Sequence, residues 1–221
     1  MCAAETYKTP VVILGAVGTS LNIAHQINCD RQSQHKVIGW CVDNVAVGET
    51  LNGLPVVASR SSLKNYLKLN PDIRILFNMY KQGEMERRLD LLLELGLPDS
   101  VFTTYIHSSA YVSEDVDLGV GNVVFPNVSI GSGVQLGRFN IINYNVVIEH
   151  HSTLKIGNFL ASGSVIGSSV TLEECNFVGL GAQIKERTTI SKVMVGMGAV
   201  VINDFASCTV IGTPARPINR K

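Results

Sequence analysis

Between Val112 and Ile190 an aliphatic residue returns at every sixth position: Val112, Leu118, Val124, Ile130, Leu136, Ile142, Ile148, Leu154, Leu160, Ile166, Leu172, Val178, Ile184 and Ile190. Helices repeat at 3.6 residues and strands at 2, so neither element alone sustains a period of six over such a span. A short strand plus a tight turn does, when it forms one side of a triangular coil and three sides complete a turn of a β-solenoid. The recurring aliphatic is the inward side chain. Two positions before it the residue is again small or apolar (Val116, Val128, Val134, Val146, Ser152, Ser164, Val170, Ala182, Thr188), as a second inward site requires. Asn122, Asn140, Asn158 and Asn176 break that rule. An inward Asn stacked on another Asn in the next coil, hydrogen-bonded to turn backbone, accounts for them structurally. The unbroken hexads predict just over four coils, without a long excursion loop and without a helix between Leu118 and Val178.

The first hundred residues follow another pattern. VVILGAVGTSLNIAHQI reads as a buried strand, a glycine turn and an amphipathic helix, and KVIGWCVDN as a second strand ending in acidic and amide residues. LNGLP forms a turn, SRSSLKNYLKL a short helix with serines to cap it, DIRILFNM a third strand, and GEMERRLDLLLELGL a helix closed by Gly96 and Pro98. Alternating strands and helices predict a small parallel sheet. FTTYIH, from Phe102 to His107, is the strand leading into the solenoid. The chain divides near Ser108, into a Rossmann-like α/β domain over 1–107 and a solenoid with a C-terminal tail over 108–221.

Composition narrows the function classes. At 221 residues and 46% hydrophobic the chain has ample core, and no apolar run reaches the roughly 18 residues that span a bilayer. Eighteen basic residues balance eighteen acidic ones without a basic stripe, which argues against nucleic acid as a partner. Cys2, Cys29, Cys41, Cys175 and Cys208 have no CxxC or paired spacing, and MCAAETYKTP lacks a secretory pattern, so a reduced, cytoplasmic protein is expected. Cys175 and Cys208 read as packing residues. A solenoid with many exposed β-branched residues and only 16% charged residues should bury one side against other copies.

The candidate chemistry begins at Gly15-Ala16-Val17-Gly18. A lone GxxG after a strand either serves the turn's own geometry or lets a phosphate approach backbone. Asp43 and Asn44 end the next strand, and ligands of open parallel sheets sit beyond the carboxyl ends of the strands. The domain is too short for two mononucleotide halves, which favours a nucleotide or nucleotide-sugar over a complete dinucleotide.

VVILGAVGTS, GWCVDN, YIHSSAYV, NYNVVIEHH and VGMGAVVINDF…IGTPARPI together resemble the bacterial sialic-acid O-acetyltransferases and, most of all, the nucleotide-linked amino-sugar N-acetyltransferases of the bacillosamine and perosamine pathways. The resemblance spans nearly the whole chain. It implies a left-handed parallel β-helix, despite the usual right-handed preference of parallel crossovers. It also implies a homotrimer with acetyl-CoA between neighbouring solenoids, a nucleotide-linked amino sugar in the N-terminal domain, no metal, and acetyl transfer to the sugar amine in surface-glycan synthesis. Acetylation of a sugar hydroxyl and a non-catalytic nucleotide-sugar-binding solenoid are the alternatives.

His150, two positions after the inward Ile148, matches the family's general base, and an imidazole suits proton removal near neutral pH. The family's acidic residue after that histidine is here His151. Orientation then falls to His151, to Glu149, to Glu173 or Glu174 one coil on, or to a neighbouring chain; alternatively His151 is the base. Asn143 matches a family asparagine near the reacting group, or is a turn amide. The resemblance places the nucleotide-sugar at Gly15, Ala16, Val17, Gly18, Thr19, Asp43 and Asn44. It places acetyl-CoA at Phe159, Gly179, Leu180, Met197, Gly198 and the Gly212–Arg216 tail, with Arg216 or Lys185 for its phosphates. Thr19 and Phe159 stand where the family often has histidine. A γ-type carbonic anhydrase shares the solenoid but needs three histidine ligands. With His107, His150 and His151 here, and adjacent residues diverging on a strand, that site is disfavoured.

Overall fold

In the computed structural model residues 7–218 are described; Cys2 lies outside them. The N-terminal unit is a five-stranded sheet built from β1 (Thr9–Leu14), β2 (His35–Cys41), β3 (Thr50–Leu51), β4 (Leu54–Ala58) and β5 (Arg74–Phe77), in the order β3-β4-β2-β1-β5. All pairings are parallel except the β3–β4 hairpin. Asn52-Gly53, both with positive φ, close that hairpin, as the LNGLP turn predicts. The flanking strands β3 and β4 are an addition to the sequence reading. Helices α1 (Thr19–Cys29), α2 (Leu63–Leu69) and α3 (Met85–Leu93) cover the sheet, α1 burying Ile23, Ala24 and Ile27 on one face.

Phe102 bridges to Ile75 of the N-terminal sheet, and three residues later Tyr105–Ile106 already pairs with Val123–Val124 of the solenoid. From there the chain visits three sheets in rotation. The first face runs from Tyr105–Ile106 to Thr209–Ile211, the second from Tyr111–Val112 to Val200–Val201, the third from Asp117–Leu118 to Phe205–Ala206. The described residues make six complete coils and a seventh strand on the first face, with no helix between Leu118 and Val178.

That exceeds the four-odd coils the hexads predict. Strict spacing ends at Ile190, but the coil does not: Val178 pairs with Val195, 17 residues on, and Ile190 with Phe205, 15 on, where regular coils advance by 18. Shorter corners keep Val195, Val201 and Val210 inward and fully buried. At the other end, Leu118 is 39% exposed and Val112 only half-buried, because no coil lies beneath theirs. The other twelve hexad aliphatics are buried.

The four asparagines form an internal ladder. Asn122 Oδ1 accepts from the backbone N–H (2.8 Å) and side-chain amide (3.0 Å) of Asn140; Asn140 does the same for Asn158, and Asn158 for Asn176. Asn176 Oδ1 then accepts from the Val193 N–H, while each amide also donates to a turn carbonyl such as Glu173 O. Every ladder residue is fully buried and satisfied, as a buried amide must be.

The three faces differ. The first is covered: its outward Val123, Ile141, Phe159 and Phe177 pack into the N-terminal cores, Tyr80 donates to Phe139 O at 2.6 Å, and Gln26 of α1 donates to Tyr144 Oη at 3.1 Å. The second turns Tyr111, Ser129, Val147, Val165, Gln183 and Val200 outward, with Tyr111 and Val165 exposed and Val147 and Val200 half-buried, whereas the third turns Asp117, Gln135, Thr153, Thr171 and Thr189 outward.

Candidate active site

Two polar regions stand out. The first is a cleft of about 610 Å³ at the carboxyl ends of β1, β2 and β5, lined by Gly15 through Ser20, Asp43, Asn44 and other residues. All seven residues assigned to the nucleotide-sugar therefore line one cavity. At Gly15 (φ 105°) a β-carbon would lie 2.8 Å from Asn78 O, so the strand ends β1 and β5 approach closely only because that position has no side chain. Gly18 precedes α1, whose first residues line the cleft and give it the positive end of a helix dipole.

Sequence reasoning overlooked several lining residues. Asn78, at the end of β5, exchanges hydrogen bonds with the buried Ser20: its carbonyl accepts from Ser20 Oγ (3.1 Å) and its amide donates back (3.0 Å). Applying the strand-end rule to β5 as well as β2 would have found it. Arg60, Lys81 and Arg88 supply positive charge. Lys81 and Arg88 both pair with Glu84, and the Arg60 guanidinium pairs with Asp43, whose other oxygen accepts the Arg60 N–H at 2.8 Å. Partial burial raises the Asp43 carboxyl, but the Arg60 hydrogen bonds and charge outweigh it and hold Asp43 below its ordinary value. Cys41 also lines the cleft, and burial pushes its thiol up to about 12, so it stays protonated.

The second region lies on the solenoid edge between the second and third faces. His150 and His151 are both exposed there, with Nδ1 of one 2.9 Å from Nδ1 of the other and the rings at 88°. On a regular strand adjacent side chains diverge, but these sit in a corner where His151 has φ 58°, and that turn brings the rings together. Asn127, Asn145, Ser169 and Arg187 take similar corner conformations, so the backbone here belongs to the architecture. Gly133, one coil below, leaves the space: a β-carbon there would lie 3.0 Å from the His151 ring. Of the alternative orienting carboxylates, Glu173 pairs with Lys155 and Glu174 with Lys192. Glu149 is exposed.

The residues assigned to acetyl-CoA divide. Gly179, Leu180, Met197 and Gly198 occupy successive corners of the edge between the first and second faces, with Leu180 and Met197 exposed, and the tail bearing Arg216 returns beside Thr209–Ile211. Phe159 stands apart on the covered face, stacked on Phe177 (centroids 5.1 Å, 5°) and packed against the N-terminal domain. Asn143 is buried, its amide donating to Leu160 O at 2.8 Å, as a turn amide does. Within one chain, the histidines and the Leu180–Met197 corners thus lie on different edges, both bordering the second face. Among the described residues no three His, Cys, Asp or Glu side chains gather as a metal site.

No protein-family model matches this chain, and no curated protein sequence does. Solved structures do. PerB from Caulobacter crescentus, in complex with CoA and GDP-perosamine, is 28% identical, with 95% of this chain and 97% of that one aligned at a TM-score of 0.81. The chain has the fold of the hexapeptide-repeat sugar acetyltransferases. That fold is a left-handed parallel β-helix behind a Rossmann-like domain. The acetyltransferase domain of PglB from Neisseria gonorrhoeae (23% identity, 96% and 100% covered, TM-score 0.81) and WeeI from Acinetobacter baumannii (22%, 94% and 99%, 0.71) share the same sugar-acetyltransferase fold. Among the described residues, no helix is long and apolar enough to cross a membrane.

Proposed function

We propose that the protein transfers the acetyl group of acetyl-CoA to the amino group of a nucleotide-linked amino-deoxy sugar, in the cytoplasm and for surface-glycan synthesis. The observation that carries this reading is the end-to-end structural likeness to an enzyme solved with CoA and GDP-perosamine.

The site forms between copies. One face is covered, one is lined by threonine and other polar residues, and the second face carries Tyr111, Val147, Val165 and Val200. Three such faces around a threefold axis bury the apolar stripe. The same rotation brings the His150 edge of one subunit against the Leu180–Met197 edge of the next, uniting residues that a single chain keeps apart. CoA then runs along that groove, and the neighbouring N-terminal cleft holds the nucleotide-sugar.

The sugar amine, neutral when it attacks, adds to the thioester carbonyl. His150 Nε2 takes the amine proton as the tetrahedral intermediate collapses, the C–S bond breaks and CoA thiolate leaves. For Nε2 to be the free acceptor, Nδ1 of His150 must carry hydrogen and donate it to Nδ1 of His151. His151 thereby fixes the tautomer, as a neutral partner in place of a carboxylate.

The test is thiol release from acetyl-CoA with UDP-, GDP-, dTDP- and CMP-linked amino sugars, alongside their hydroxyl counterparts. Turnover with an amino sugar supports the proposal. Turnover with only the hydroxyl sugars moves it to O-acetylation, and tight nucleotide-sugar binding without turnover makes the protein a binding solenoid.

A further inference from the structure

We infer that Arg60 is a positioning residue that turns Asp43 into a reader of the ribose 2′-hydroxyl, so that the cleft takes ribonucleoside-diphosphate sugars and discriminates against 2′-deoxyribonucleoside ones. The inference rests on the cleft being a nucleotide-sugar site and goes on to name its substrate class.

Asp43 follows β2 directly, at the carboxyl edge of the parallel sheet, and the glycine turn with the start of α1 lies beside it in the same cleft. In sheets of this topology, phosphate sits at the helix N-terminus and an acidic residue at the end of the second strand meets the ribose. Arg60 comes from the turn after β4, the neighbouring strand, and grips Asp43 twice: the backbone N–H donates to Oδ1 at 2.8 Å and the guanidinium Nε pairs with Oδ2. Those two donors fix the carboxylate plane and occupy one lone pair on each oxygen. An ionised carboxylate has about four acceptor sites, so roughly two remain free. Asp43 keeps 43% of its side-chain surface and itself lines the cleft. Two parallel acceptors on a fixed carboxylate match the two adjacent O–H donors of a ribose 2′,3′-diol. A 2′-deoxyribose offers one.

Asp43 is a carboxylate at neutral pH, and the hydrogen bonds and charge of Arg60 hold it below its ordinary value against the opposing effect of partial burial. A charged acceptor makes the stronger bond. Because the pair is part exposed, the lost bond is worth less than in a sealed pocket, and the discrimination should be of the order of ten- to a hundredfold.

Calorimetric titration of the intact protein with UDP against 2′-deoxy-UDP, and GDP against 2′-deoxy-GDP, measures this without the sugar. Both ribonucleotides should bind about ten- to a hundredfold tighter than their deoxy partners. Arg60→Gln should reduce the ratio to below about threefold, chiefly by weakening the ribonucleotide, and Asp43→Asn should do the same. Equal binding of the ribo and deoxy partners by the unaltered protein overturns the inference while leaving the nucleotide site intact. An Arg60→Gln variant that weakens both partners equally also overturns it, since Arg60 then meets the phosphates instead. If no nucleotide binds at all, the reading of the cleft fails and this inference with it.

Discussion

The solenoid and the N-terminal domain expose their chemistry by different means. In the solenoid every coil repeats the one below, so inward positions are fixed by packing, while exposed corner positions can carry a polar side chain without disturbing the core. His150 and His151 occupy such a corner, above Gly133 and below Ser169. In the N-terminal domain no position repeats. Its cleft arises where four separate segments end together, and several of its lining side chains are held by a specific partner: Ser20 by Asn78, Asp43 by Arg60, Lys81 and Arg88 by Glu84. A corner residue can therefore be exchanged with little structural cost, whereas a cleft residue takes its partner with it.

The largest effect tests the solenoid corner. His150→Ala should lower turnover about 10²–10⁴-fold while leaving CoA affinity near its original value, as removal of a general base does. Unchanged turnover in single-turnover assays would mean the amine loses its proton to solvent instead. Next comes the apolar face. In the proposed trimer Val165→Glu would set three carboxylates around the threefold axis, so light scattering should show dissociation to monomers and the activity should go with it. A trimer that survives this change must use another face. Third is the ladder, four stacked amides inside the solenoid. Asn158→Leu removes the Oδ1 that accepts twice from Asn176 and orphans buried donors, a cost of about 3 kcal/mol in urea unfolding.

The contrast also explains what could be read from the chain. Periodicity writes a solenoid directly: one aliphatic every six residues declares both the fold and the side each residue faces, which is why His150 is legible as an outward group. The signal ends where spacing becomes irregular, so the coil at Val195 to Phe205 is missed although its inward residues obey the same packing rule. At the other end Tyr105–Ile106, which reads as the strand leading into the solenoid, is already its first rung, with Ile106 in regular register beneath Val124. In the N-terminal domain the strand-end rule finds Asp43 and Asn44. Arg60 escapes because SRSSLKNYLKL reads as a helix and only LNGLP before it is assigned, as a turn; once β4 is recognised as a strand and α2 begins at Leu63, Arg60 becomes a residue beyond a strand's carboxyl end. Phe159 is assigned by resemblance, and periodicity alone does not show that its face is the covered one. A motif position near the thioester in related sequences lies here on the covered face, and its neighbour one coil on, Phe177, supplies a stacking partner.

The smallest expected effect separates the two histidines. His150 Nδ1 and His151 Nδ1 are 2.9 Å apart, so one ring must donate and the other accept. If His150 is the base, His151 only holds its tautomer and orientation; His151→Ala then leaves water to accept that hydrogen bond and should cost tenfold or less in turnover, roughly the worth of one hydrogen bond. His151→Asp supplies an anionic acceptor that stabilises the imidazolium formed in the transition state, and should raise turnover above that of the unaltered protein. Both comparisons need the CoA affinity measured alongside, because a change in kcat with KM constant places the loss in the transition state. The reverse order, with His151→Ala losing a hundredfold or more and His150→Ala almost nothing, would transfer the base to His151 and make His150 its partner.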